Sequence, residues 1–397
     1  MPRLRVALLT FYPLHPEEPD SIPGGVWAVG HTLARLLSTF DDLDLHVVHC
    51  QPDLPEDRIV VGEGVTVHYL AVRRRRWRPA ILGGVGRMTA YLRALRPDVA
   101  NAHAAQHAYA AIQAGVPTIY TVHGLVRQEF RTFRGWKQRL MFLLPIYYDT
   151  VAARSSERIV AISPYVVRQY QHRTHAPFQR IEVPIAPAFF EVGAERPGQV
   201  LFTAGNLNER KDYLTMLRAL AEVRNAFPNV QLRIAGTGEP AYRQRLEDFI
   251  RKEGLQANVQ FLGVLSREGM VRAYAESSLV LLSSRQETAP GIICEGMAAG
   301  RPVVATDVGG VADMVEDGVT GFVVPPGDFQ ALAEGVVRLL RDEGLRREMG
   351  AAARERALNR WWPPRVAEQY RQLYREVAAR RANGLAIPTR EAGGWGG

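Results

Sequence analysis

The stretch RQETAPGIICEGM, Arg285 to Met297, followed directly by AAGRPVVATDVGG, decides the fold. Before it runs LVLLSS, Leu279 to Ser284, short and apolar enough to read as a buried strand. Pro290 suits a first helical turn, because its fixed φ matches a helix and its missing N–H would have had no partner there. Gly300 suits the C-terminal cap of that helix, and Pro302 begins the next apolar run, PVVAT. The order is therefore strand, loop, helix, strand, the unit of which parallel sheets are made. Glu287 falls on the loop and Glu295 about one and a half turns inside the helix. Unpaired N–H groups at the helix start would face an anion held between the two carboxylates.

Outward from this segment the same alternation fills the chain. The first half reads RVALLT, then GHTLARLL, LHVVHC, DVANAH, TIYTVH and RIVAIS. After a turn-rich link near Glu191 to Gln199 the pattern restarts as VLFTAG, the helix YLTMLRALAEVR, VQLRIAG, VQFLG, LVLLSS, PVVAT and GFVVP. The expectation is an α/β chain of two doubly wound, Rossmann-like domains facing across a cleft, into which the loops at the carboxyl ends of the strands project. The expected divisions are 1–195, 196–360, a last helix over 361–384 after the break WWPP, and a Gly-rich tail over 385–397.

With 23% charged and 47% hydrophobic residues in 397, composition is that of a soluble globular chain. The apolar run Val6 to Leu9 is too short for the core of a signal peptide and reads as a first buried strand. Leu140 to Tyr148 is about half a membrane span and carries Pro145, so no crossing segment is expected. Cys50 and Cys294 make neither a disulfide framework nor a metal knuckle, and a reducing cytoplasm is the expected location. Asp42 and Asp44 fall at the N-terminal end of a strand, away from the cleft, and no metal site is expected. Only Lys137, Lys211 and Lys252 among 49 basic residues are lysines, which singles each of them out. Residues 70–170 hold 16 basic residues against Asp98, Glu129, Asp149 and Glu157, a positive field concentrated in the first half.

Glu287 and Glu295, separated by seven residues, and the segments on either side resemble the donor-binding signature of the retaining glycosyltransferases of family 4. The resemblance implies the GT-B fold, with the first domain on the acceptor side, the second binding a nucleotide-diphosphate sugar, and the last helix crossing back onto the first. It implies that Glu287 orients donor-sugar hydroxyls and that Glu295 accepts from the ribose, while Thr288, Ala289, Gly291 and Ile292 supply a hydroxyl and backbone N–H groups. Gly24 and Gly25 resemble the family's glycines between first strand and first helix, where backbone N–H groups approach a phosphate. His123, ending TIYTVHG, stands where the family has a histidine near the donor sugar, whereas His103 is treated as structural or acceptor-side. AGNLNERKDYL is similar to the phosphate-clamping loop, with Lys211 on the family's lysine. Gly236 in IAGTGE, and Gly263 and Val264 in VQFLGVL, resemble positions that pass or contact the nucleotide.

Three departures stand out. Asn206 replaces the arginine usual in the clamping loop, with Arg210 available to supply the charge. Pro290 replaces a glycine and removes one N–H, and VPIAPAFF lacks an asparagine frequent in relatives. The implied activity is retaining, metal-independent transfer of a sugar to an acceptor hydroxyl on a glycan, lipid or small molecule, with no cofactor. A nucleotide-sugar epimerase of the same fold and a non-catalytic sugar-nucleotide binder are the alternatives. Arg73 to Pro79 and Phe130 to Tyr148 mix arginine with large apolar residues. They read either as a peripheral contact with anionic membrane or as a solvated basic face. No nucleic-acid module is present in the sequence.

Overall fold

The computed structural model describes residues 3–14, 25–52, 54–62, 64–72, 80–132, 135–193 and 198–383. Gly24, the segment Arg73 to Pro79 and the tail 385–397 lie outside the described residues. The chain divides into two compact units, one containing Val26–Pro184 and the chain from Pro364, the other Ile185–Pro363.

The first unit holds an eight-stranded sheet. Its strands are β1 (Leu4–Leu9), β2 (Leu43–Pro52), β3 (Arg58–Gly62), β4 (Val65–Val72), β5 (Val99–Ala102), β6 (Thr118–Val122), β7 (Arg158–Ala161) and β8 (Phe178–Arg180), in the order β3-β4-β2-β1-β5-β6-β7-β8. All neighbours run parallel except β3, which pairs antiparallel with β4. The central strands are covered on both faces, so β5, β6 and β7 are buried at every position and read as continuous apolar runs. Sequence reading found five of these strands; the β3–β4 hairpin and β8 are additions of the structure.

The second unit holds six parallel strands, β9 (Val200–Ala204), β10 (Gln231–Ala235), β11 (Val259–Gly263), β12 (Leu279–Leu282), β13 (Val303–Thr306) and β14 (Gly321–Val324), in the order β11-β10-β9-β12-β13-β14. All six were legible in the sequence. Helices Tyr213–Ala226, Pro240–Lys252 and Phe329–Arg341 bury Leu217, Leu220, Leu246 and Leu332 in one core with Leu232 and Leu281. Truncating any of these leucines to alanine removes about 2–5 kcal/mol.

Helix Glu343–Trp361 stops at Trp362 because Pro363 and Pro364 deny the N–H groups and the backbone angles that would continue it. Helix Pro363–Ala382 then buries Val366, Tyr370, Leu373, Tyr374 and Val377 against Val6, Leu8, Ile119 and Val160 of the first unit. Tyr374 accepts a hydrogen bond from Asn101 Nδ2 at 2.7 Å, and Asn101 Oδ1 accepts from Thr121 at 2.7 Å. This buried network fixes the ends of β5 and β6, from which the first unit's histidines project. No helix among the described residues is long and apolar enough to cross a membrane.

Candidate active site

In the second unit β9 and β12 are neighbours although three helices and two strands separate them in the chain. The strand order reverses between them, and the loops leaving their carboxyl ends lie side by side, where open parallel sheets bind ligands. The two loops are tied together. Ser283 Oγ donates to the backbone oxygens of Lys211 at 3.1 Å and Asp212 at 2.9 Å, and the Arg285 N–H donates to the Arg210 oxygen at 2.8 Å. Asp212 takes a left-handed φ of 48°, uncommon for a residue with a Cβ, and its carboxylate accepts from Thr215 and from Arg285 Nε, each at 2.9 Å. Directly before it, two consecutive cations reach one carboxylate.

Lys211 Nζ donates to Glu287 Oε1 at 2.6 Å, and Ser284 Oγ donates to the same oxygen at 2.7 Å. Arg210 Nη1 donates to Glu287 Oε2 at 3.3 Å and to the Gln286 carbonyl at 2.9 Å. Glu287 is 6% exposed, whereas the Arg210 side chain keeps 39% of its surface, enough to reach a ligand as well. Burial pushes the Glu287 carboxyl up, but Lys211 and Arg210 outweigh it and hold the group below its ordinary value. The site thus carries a permanent carboxylate and two cations at the start of helix Gly291–Ala298.

That helix begins one residue later than the sequence suggests. Pro290 precedes it in extended backbone (φ −68°, ψ 120°), where its missing N–H removes nothing from the first turn. Glu295 lies inside the helix and accepts from the Tyr274 hydroxyl at 2.8 Å. Burial pushes its carboxyl up to about 7, with Tyr274 and Arg267 opposing the shift. Behind the cations the turns after β9, β10 and β11 stack tightly, the Gly236 N–H donating to Gly263 at 2.6 Å. Gly236 has φ 117°, and a Cβ there would overlap the Gly205 carbonyl, so only glycine fits.

The first unit presents a different surface. At the carboxyl ends of β1, β5 and β6, His103 Nδ1 lies 3.2 Å from Thr10 Oγ1, and the His103 and His123 rings are 4.7 Å apart. His107 Nδ1 lies 3.1 Å from the Leu9 carbonyl, and its ring meets Phe11 at 5.2 Å, which in turn stacks on Trp27 at 5.6 Å. Among the described residues the Nε2 atoms of His103 and His123 have no hydrogen-bond partner. Burial pulls His123 down to about 4 and His107 down to about 3, and pulls His103 well below the usual range, so the cluster is neutral at pH 7. Asp42 and Asp44 are engaged elsewhere, Asp42 by Arg371 at 2.9 Å and Asp44 by Arg5 at 2.9 Å.

A profile described as Glycosyl transferases group 1 matches residues 186–356, and one described as Glycosyltransferase Family 4 matches residues 23–183. The chain belongs to glycosyltransferase family 4. It is 35% identical over 190 residues to a phosphatidyl-myo-inositol mannosyltransferase of Mycobacterium leprae, covering 47% of this chain and 49% of that one. The chain spans half or less of the length of the first curated relatives it matches. A sucrose-phosphate synthase of Thermosynechococcus elongatus superposes with a TM-score of 0.78 at 21% identity, covering 95% of this chain and 100% of that one. HepE of Anabaena, in complex with UDP-glucose, superposes with a TM-score of 0.70 at 19% identity, covering 94% and 100%. The two parallel-sheet units are those of the GT-B fold.

Set against the family's pattern, Lys211, Arg210 and Glu287 come together in one cluster, with Thr288, Ala289, Gly291 and Ile292 following along the loop and helix start. Asn206, at the family's arginine position, is exposed, while Arg210 delivers its charge to the shared carboxylate. Gly263 has φ 69° and Val264 is 62% exposed at the end of β11. Gly25 opens the first helix of the chain, Gly25–Leu37, at φ 56°. His123 lies in the first unit, paired with His103. Sequence reasoning missed Ser284, Asp212, Arg285 and Tyr274, which hold the charged groups in place. Only the strand order or a helix partner selects them, and neither is visible as a motif.

Proposed function

We propose that this chain transfers a sugar from a nucleotide-diphosphate sugar to an acceptor hydroxyl, with retention of configuration and without a metal ion. Membership of family 4 supports sugar transfer. The UDP-glucose of the Anabaena structure supports the donor class, and the phosphatidyl-myo-inositol in the M. leprae relative's name supports a lipid-linked acceptor. The observation that carries the reading is the convergence of Lys211 and Arg210 on Glu287 beside the start of helix Gly291–Ala298.

Lys211, Arg210 and the N–H groups of Gly291 and Ile292 hold the diphosphate. Glu287, with both oxygens already hydrogen-bonded, orients sugar hydroxyls rather than attacking carbon. Glu295 accepts from the ribose. The bond from the anomeric carbon to the diphosphate breaks, the acceptor oxygen bonds to that carbon from the same face, and its proton passes to the departing phosphate oxygen. Negative charge grows on the leaving group, and cations fixed before reaction stabilise it by about 3–4 kcal/mol. His123, neutral and with Nε2 unpartnered among the described residues, can give one hydrogen bond to a substrate hydroxyl without adding charge.

The test is thermal stabilisation, with a chelator present, by UDP, GDP, ADP, dTDP and their sugar conjugates, followed by NMR of the product's anomeric configuration. One nucleotide family is expected to raise the melting temperature, as ligand binding to the folded state requires. No shift, a shift that needs a divalent cation, or an inverted product contradicts the proposal.

A further inference from the structure

The donors that converge on Glu287 are not equivalent. Lys211 and Arg210 carry charge on long stems, and under the proposed function they hold the diphosphate. Ser284 is neutral, fully buried and held from behind. The ladder between β12 and β13 ends at the pair Leu282 and Ala305. Just beyond it the buried Thr306 hydroxyl donates to the Ser284 carbonyl at 2.6 Å, so the tie between the two strands continues through a side chain. A serine hydroxyl is set by a single side-chain torsion, whereas Lys211 reaches Glu287 along a flexible four-carbon stem.

A carboxylate offers about four acceptor positions, two on each oxygen. Oε1 of Glu287 has both of its own filled, by Lys211 at 2.6 Å and by Ser284 at 2.7 Å. Oε2 takes Arg210 at 3.3 Å, the longest of the three bonds, and among the described residues keeps one position open. If Glu287 orients sugar hydroxyls it does so through that position, whose direction depends on what fixes Oε1. An arriving diphosphate draws on the donors of Lys211. Ser284 has no charge to be drawn, and its backbone is tied to Thr306. We infer that Ser284, held by Thr306, is a positioning residue of the donor site, which turns Glu287 so that Oε2 faces the sugar and so sets how much more tightly the sugar conjugate binds than the free diphosphate. The inference rests on the transferase reading and deepens it, by assigning the sugar's share of donor affinity to two uncharged hydroxyls behind the carboxylate.

Calorimetric titration with a chelator present separates the two shares. The probes are UDP, GDP, ADP and dTDP beside UDP-glucose, GDP-mannose, ADP-glucose and dTDP-glucose, and the pair that binds the parent is carried to the variants. In Ser284→Ala the conjugate's Kd is expected to rise about tenfold, the loss of one hydrogen bond to a charged group, while that of the free diphosphate stays within about twofold. Thr306→Val keeps the shape of a fully buried side chain and removes its hydroxyl, and is expected to raise the conjugate's Kd about threefold with the same selectivity. A free diphosphate that binds as it does to the parent also shows that the variant's site is folded. Equal losses for conjugate and diphosphate in both variants overturn the inference, because they mark a loop that only holds the site together. So does the absence of any loss in either variant, or a parent that binds conjugate and diphosphate equally. A parent that binds none of the probes contradicts the transferase reading itself, before any variant is compared, and the inference falls with it.

Discussion

In the six-stranded unit the buried Glu287 meets two cations, whereas in the eight-stranded unit the groups at and just beyond the strand ends are neutral rings, the buried His103 and His107 and the half-buried His123. Both sets sit where parallel strands end, so the fold alone does not dictate the difference. Loop chemistry does. In the second unit Asp212 and Ser283 fasten one loop to the next, and Lys211 and Arg210 meet on one carboxylate. In the first unit β5 and β6 deliver imidazoles into a site from which burial removes their charge. On the proposed function, a site that holds a diphosphate needs fixed charge.

The largest effect is expected from Lys211→Ala, which lowers kcat/KM about 1,000-fold in initial-rate assays with the cognate donor. The same substitution leaves Glu287 short of its closest cation and destabilises the fold by roughly 3 kcal/mol in chemical denaturation. An unchanged rate would erase the functional contrast between the units. His123→Ala is expected to lower kcat about 100-fold while leaving the nucleotide diphosphate's thermal shift intact, because the histidine belongs to the other unit. Its rate profile is expected to show no histidine ionisation between pH 5 and 8, since the group titrates near 4.

Glu295 sharpens the comparison, being a carboxyl of the second unit that burial moves toward neutrality. It titrates near 7 when folded against 4.5 ordinarily, so its stabilising effect is complete below about 4.5 and is lost as pH rises through 7. Glu295→Gln is therefore expected to be the more stable chain at pH 8.5, by up to roughly 3 kcal/mol, and to differ little at pH 4.5. Donor affinity follows the opposite course. Ribose hydroxyls favour the ionised form, and the parent's donor Kd is expected to fall about tenfold between pH 6 and 8, a dependence that the glutamine variant loses. The smallest effect is expected from Asn206→Arg, about twofold in kcat/KM, because Arg210 already brings its charge to the carboxylate.

Much of this was legible in the sequence. Strands β9, β10, β12 and β13 announce themselves as short apolar runs because both faces of their sheet are covered, and the edge strands β11 and β14 carry apolar runs of their own. The edge strands of the first sheet did not. β3 is exposed at four of its five positions and starts on an arginine, and β8 has only three residues. Their pairing depends on a neighbour rather than on their own pattern. At the site, the spacing of Glu287 and Glu295 and the scarcity of lysine pointed to two loops that the structure brings together. Whether Arg210 faces the way Lys211 does was not legible, because the backbone of their loop is held by Ser283 and by the Arg285 N–H, and no motif shows that contact. Ser284 and Tyr274 escaped for a similar reason, each being one polar group among many until the fold brings it against a glutamate.

The central claim is that the second unit's cations hold a diphosphate. Calorimetric titration of the parent and of Lys211→Ala with the nucleoside diphosphate selected by thermal shift, at pH 8 and with a chelator present, tests it most directly. The account predicts a Kd at least about 100-fold weaker in the variant, with binding in the parent weakened by salt. Equal affinities in the two chains would contradict it.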